Sequence, residues 1–220
     1  QWPVVTLMSW RRCLGGDVVS ARPVDAARWL IAVAKDAGRP LTNFQVQKLL
    51  YYAHGEYLSK YGEPLFADGF QAWDHGPVCP PVYRAFSDFG SDPIVNVPAD
   101  RERMASKIDP AELAALERAW ADYGDWSISE LWDDVHRPES PWEGVYVAGK
   151  DNTTISDQSI REYFTDLQSP RLRRSMNRLR KRRDERGDLP GETIIGDAGL
   201  AKEIEAWREL RAAGTHGLLG

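Results

Sequence analysis

"LTNFQVQKLLYYAHGEYLSKYG", residues 41–62, is the stretch on which the fold class turns. Thr42 and Gln45 have the spacing of a reciprocal capping box, and Leu41 and Val46 can close a hydrophobic staple around it. Val46, Leu49, Leu50, Ala53 and Tyr57 recur at helical spacing, and Gly62 ends the run. A long helix is therefore predicted between Thr42 and Gly62.

Helix signals continue on both sides. "PVDAARWLIAVAKDAG" places Pro23 at a first helical position and Gly38 at a C-cap. "DPAELAALERAWADYG" has Asp109 as cap, Pro110 in first position and Glu112 completing a box, with Leu113, Leu116, Trp120 and Tyr123 as its apolar stripe. "SISELWDDVH" repeats the box with Ser127 and Glu130 and turns Leu131 and Val135 inward. In "TTISDQSIREYFTDL", Ser156 or Asp157 caps a helix that carries Ile160, Tyr163, Phe164 and Leu167 on one face.

Residues 63–100 change character. "AWDHGPVCPPVYRAF", residues 72–86, sets three prolines and a glycine between Trp73 and Tyr83, which forbids a continuous helix and predicts a stiff turn. "VYRAFSDFG" predicts a short helix after Pro81 that stops at Gly90, and "PIVNVP", residues 93–98, predicts a short edge strand. The expected fold is mainly α: a compact helical domain over 20–169 with a Pro/Gly-rich turn region and at most a small β element. Residues 170–220 add a helical C-terminal extension made of a basic helix, a Gly-rich connector and a final helix. Residues 1–19 read as a loose arm, a tag remnant or an over-extended start, without the features of a secretory signal.

Composition narrows the classes. Of 220 residues, 42% are hydrophobic and 28% charged, a balance that favours a folded globular chain over a disordered one. No run approaches the roughly 20 apolar residues of a membrane span, so no membrane partner is expected. Cys13 and Cys79 are the only cysteines, too few for a disulfide framework and in keeping with a reducing cytoplasm. The net charge of -5 is uneven: residues 171–186, "RLRRSMNRLRKRRDER", carry nine Arg or Lys against Asp184 and Glu185. An acidic body bears one basic segment.

No enzymatic constellation emerges. Cys79 and His75 lie four residues apart with Asp74 nearby, but Gly76 and Pro77 intervene and Cys79 reads as a small buried hydrophobe. The histidines at 54, 75, 136 and 216 show no metal-binding spacing, and adjacent Asp133 and Asp134 read as a solvated face. Phosphate-binding loops and nucleophile elbows are missing from the sequence. No catalytic residue, metal site or cofactor is assigned, and the chain is expected not to be an enzyme. The arginines of 171–186 suit a protein partner or a nucleic acid.

These motifs together resemble the Panacea antitoxin domain, the SocA-like family met in prophage-associated proteins. The family's Gln-Lys-Leu-Leu-Tyr-Tyr helix corresponds to Gln47–Tyr52, its Pro-Leu-Phe segment to Pro64–Phe66, and its Ala-Trp-x-x-Gly-Pro-Val turn to Ala72–Val78, with Val82 and Tyr83 following. Its second signature is matched by Leu131, His136, Pro141 and Trp142, although Val135 stands where the family commonly has Thr before the His. The likeness covers about residues 23–168. Gln47, Lys48, Leu49, Tyr52, Trp73, Gly76, Pro77, Val78, Tyr83, Pro141 and Trp142 are the signature framework.

The resemblance implies an antitoxin, a cytoplasmic bacterial protein that neutralises a cognate toxin encoded nearby by direct contact. In one branch it implies an adaptor that hands the toxin to a protease of the Clp type. Operator DNA is the alternative partner for the basic segment. The residues expected to meet the toxin are Arg171, Arg174, Arg178, Lys181 and Arg182 of that segment, Trp207 of the final helix, and His75 and His136 as surface candidates on the body.

Overall fold

The computed structural model describes residues 21–98, 100–150 and 152–167. Its helices are α1 (Pro23–Asp36), α2 (Asn43–Tyr61), α3 (Pro80–Ala85), α4 (Arg101–Ala105), α5 (Pro110–Tyr123), α6 (Ile128–Val135) and α7 (Asp157–Leu167). Strands β1 (Phe70–Trp73), β2 (Gly76–Val78) and β3 (Thr153–Ile155) form one small sheet. The chain is thus mainly α with a small β element, as the helix signals predict. The expectations for 1–19 and 170–220, including Arg171, Arg174, Arg178, Lys181, Arg182 and Trp207, lie outside the described residues.

α2 is the axis. The expected capping box is present, with Thr42 accepting from the Gln45 N–H and Gln45 returning to the Thr42 N–H. Gly62 closes the other end in the left-handed region at φ 75°. What periodicity did not foretell is that α2 is buried on nearly every side, polar Asn43, Gln47, Lys48 and His54 included. α1, α5, α6, α7 and the sheet surround it. A helix enclosed in this way must find internal partners for each of its polar groups.

The other caps are as expected: Asp109 with Glu112 opens α5, Ser127 with Glu130 opens α6, and the Ser156 hydroxyl accepts from the Ser159 N–H at the start of α7. The stripe of α5 is rotated from the predicted one. Glu112, Ala115, Leu116, Ala119 and Tyr123 are buried, while Leu113 and Trp120 pack only partly against the core.

Two local expectations are corrected. Residues 93–98 form no strand; Pro93 makes a single bridge to Thr42, and the Ile94 N–H donates to the Leu41 carbonyl. The prolines at both ends of that segment leave too few donors for a ladder. The β element lies instead at β1 and β2, an antiparallel hairpin with Gln71 opposite Val78 and Trp73 opposite Gly76, with β3 on the other flank of β1. The expected short helix is broken: α3 starts at Pro80, and a 3-10 turn over Ser87–Phe89 precedes Gly90.

α7 docks against α2 through a close approach. A Cβ on Gly55 would overlap the ring of Phe164, so the glycine is what lets the buried ring lie against the α2 backbone.

Candidate functional site

The hairpin turn Trp73–Cys79 is held from beneath by the signature face of α2. The Gln47 carbonyl oxygen accepts from the Cys79 N–H at 2.8 Å, and its amide donates to Asn43 Oδ1 at 3.1 Å. One turn of helix brings Asn43 and Gln47 to the same face. The Asn43 amide in turn donates to the Tyr83 carbonyl at 3.2 Å. Lys48, 1% exposed, donates to the Pro77 carbonyl at 3.1 Å and lies 4.6 Å from the centre of the Phe44 ring. Burial pulls its pKa well below the ordinary lysine value.

Gly76 is required here for two reasons. Its φ is +92°, and a Cβ would lie 2.8 Å from Val135 Cγ2 and 2.9 Å from Lys48 Nζ. Both atoms belong to the packing that seats the turn. Cys79 is fully buried, and its thiol is pushed up to about 12, chiefly by burial. Burial thus favours the protonated thiol.

The second signature closes the turn from the side. The Trp142 indole N–H donates to the Trp73 carbonyl at 2.8 Å, and the Tyr146 hydroxyl donates to Asp74 Oδ1 at 2.6 Å. His136 Nδ1 lies 2.7 Å from the Trp132 carbonyl and Nε2 lies 3.4 Å from the Asp74 carbonyl. Neutral imidazole has one N–H, so the shorter contact is the hydrogen bond. Burial draws the His136 pKa down to about 3, with Lys48 and His75 adding repulsion. His136, expected as a surface candidate, is half-buried, with its ring nitrogens turned towards the Trp132 and Asp74 carbonyls. The sequence signal was a histidine after a helix; only packing shows both its nitrogens turned inward.

Rings frame the turn. Trp73 and Tyr83 meet at 4.9 Å, His75 and Trp132 at 5.5 Å, and Phe44 stacks on Trp132 at 6.1 Å. Behind them Trp132 stacks on His136, and Trp142 stacks on Tyr146 at 4.3 Å. The front rings of Phe44, Trp73, His75 and Trp132 are half-buried, and Tyr83 is 40% exposed. Tyr83, expected as framework, is thus the most outward of the signature side chains. Gln47, Lys48, Leu49, Tyr52, Gly76, Pro77, Val78, Pro141 and Trp142 are interior.

A buried carboxylate that sequence reasoning missed joins α2 to α6. Asp134 accepts from the Tyr52 hydroxyl at 2.9 Å and pairs with Arg137 at 2.8 Å. Its pKa is raised by burial, against the opposing pull of Arg137 and Tyr52. The expected solvated face holds for Asp133 alone. Asp133 and Asp134 point about 100° apart on a helix. The facing Tyr52, at helical spacing within the core stripe, was the available signal.

Among the described residues no three His, Cys, Asp or Glu are grouped to hold a metal ion, and no helix is long and apolar enough to cross a membrane. The geometry is that of a rigid turn offering rings and backbone, with its charged groups held beneath.

A family model described as "Antitoxin SocA-like, Panacea domain" matches residues 46–143, from the first turn of α2 to just past Trp142. The protein "Antitoxin SocA" of Caulobacter vibrioides (strain NA1000 / CB15N) is 35% identical over 134 residues, covering 58% of this chain and 70% of that protein. No solved structure matches the chain.

Proposed function

The chain belongs to the SocA-like Panacea antitoxin family, and from that premise we propose that it restrains a cognate toxin by binding it directly, as one protein on another and without chemical turnover. The observation that carries this reading is the turn at Trp73–Cys79. Gln47, Lys48, Trp142 and Tyr146 tie it down from inside, while Trp73, His75, Tyr83, Phe44 and Trp132 edge it outside. A recognition surface ordered before its partner arrives loses little conformational freedom on binding, and rigid aromatic side chains suit the centre of an interface.

The cognate partner is a protein toxin encoded nearby, and the complex is cytoplasmic. The arginines of 171–186 supply the contacts specific to one pair, meeting carboxylates on the toxin or filling a phosphate pocket there. Co-expression of the neighbouring small gene with the full chain, and with the chain lacking 171–220, tests this. Protection and a stoichiometric complex are expected with the full chain and neither with the truncated one, whose helical content should persist. Full protection by the truncated chain would remove the tail from the mechanism. Protection accompanied by disappearance of the toxin, and abolished in a strain without its Clp-type protease, would replace blocking by delivery.

The basic segment also favours a second reading, contact with the operon's own DNA. Phosphate contacts make affinity fall steeply with salt, so a salt titration on operator DNA separates the two.

A further inference from the structure

The C-terminal end of α2 and the outer side of α7 enclose a cleft of about 890 Å3. Leu58 and Pro64 give it an apolar floor, and Asp157, Glu162 and Asp166 stand along its α7 wall. Arg161, the cation on that wall, lies over Gly62, where a Cβ would be 3.6 Å from its guanidinium. α2 ends there, so its last carbonyls bring the negative end of the helix dipole to the same mouth. Asp157 pairs with buried His54 at 3.1 Å yet keeps 44% of its side chain exposed, and Glu162 accepts from the neutral Gln158 amide at 3.0 Å. A ligand that suits these walls is cationic and carries some apolar surface.

One such segment is attached at the spot. α7 ends at Leu167, immediately after Asp166, and three residues separate Leu167 from Arg171. From there nine Arg or Lys face only Asp184 and Glu185, and Leu172, Met176 and Leu179 recur between them. A three-residue tether spans at most about 10 Å, and a short tether holds its ligand at an effective concentration on the order of millimolar. Any basic segment in solution would compete at a disadvantage.

We propose that this cleft is a docking site for an arginine-rich segment, and that in the free protein it takes the chain's own residues 171–186. The segment proposed above for toxin or DNA contact is then sheltered until a more acidic surface displaces it. This docking requires no toxin, so it stands or falls separately from the antitoxin reading.

Limited trypsin digestion of the full chain, with cleavage after each arginine of 171–186 followed by mass spectrometry, tests it. Cleavage there should be slow in about 20 mM salt and about tenfold faster in about 500 mM, where charge pairs are screened. Neutralising the wall in Glu162→Gln/Asp166→Asn should give the fast rate already at low salt. If that variant misfolds, judged by near-ultraviolet dichroism, Arg174→Gln/Arg178→Gln/Arg182→Gln should show the same release at the remaining arginines. Cleavage that is equally fast in every case, or protection that survives both sets of changes, overturns the proposal.

Discussion

Lys48 Nζ lies 3.1 Å from the Pro77 carbonyl oxygen, reaching the turn from inside the core. The amine holds in place the backbone that a dipeptide of glycine and proline has already stiffened. Burial lowers its pKa, so the folded chain holds this proton less tightly than the unfolded chain does. The contribution of Lys48 to stability should therefore rise with pH up to the ordinary lysine value of about 10.4. Between about pH 8 and about pH 9.5 the buried Cys79 thiol and tyrosines lower the urea midpoint of both chains alike, so the native midpoint should rise relative to that of Lys48→Met. Equal slopes would show that Lys48 is charged in place.

His136 makes the complementary prediction on the acid side. Its folded pKa of about 3 lies below that of a free imidazole, so stability is retained above about pH 6.5 and lost progressively as pH falls towards 3. The loss from this one group is about 1.4 kcal/mol for each pH unit in that window. His136→Gln keeps a donor for the Trp132 carbonyl and cannot titrate, so its denaturation midpoint should fall less between pH 6.5 and 4.5. A slope unchanged by the substitution would show that His136 takes up its proton in place, because Asp134, whose pKa burial raises, favours the folded state as pH falls.

Trp142 and Tyr83 both belong to the signature framework and should behave oppositely. Trp142 is 1% exposed and bonded to Trp73, so Trp142→Ala should destabilise by about 3–5 kcal/mol. Tyr83 is the outward ring, so Tyr83→Ala should change stability by roughly 0.5 kcal/mol and weaken toxin binding at least tenfold. Thermal melts and a titration with purified toxin separate the two effects. Wild-type affinity in Tyr83→Ala would move the docking face away from this turn.

Gly55→Ala adds one methyl where the Phe164 ring already lies, and the α2 backbone leaves it no room. A loss of about 1–3 kcal/mol is expected, measured by chemical denaturation. Phe164→Leu in the same chain should recover part of it, because the two changes share one contact. Additive losses would mean that α7 shifts as a body instead.

Helix positions were legible because each carries its own local signals. Thr42 with Gln45, Asp109 with Glu112, and Ser127 with Glu130 satisfy backbone donors within three residues, whatever the rest of the chain does. The stiffness of Gly76–Pro77 is equally local. Residues 93–98 show the opposite case: a β-branched, proline-bounded segment has strand preference, yet it makes one bridge, to Thr42, because its terminal prolines leave too few donors for a ladder.

The sequence by itself determined the helical class, the caps and the stiff turn, since those depend on neighbours a few residues away. The tertiary structure alone decided which face of α5 is inside, that α2 is enclosed with its lysine and histidine, and that His136 points inward while Tyr83 points out. Those choices rest on contacts between groups tens of residues apart: Lys48 with Pro77, Tyr52 with Asp134, Trp142 with Trp73. A buried polar side chain is tolerated only where such a partner arrives, and its arrival is a property of the folded whole.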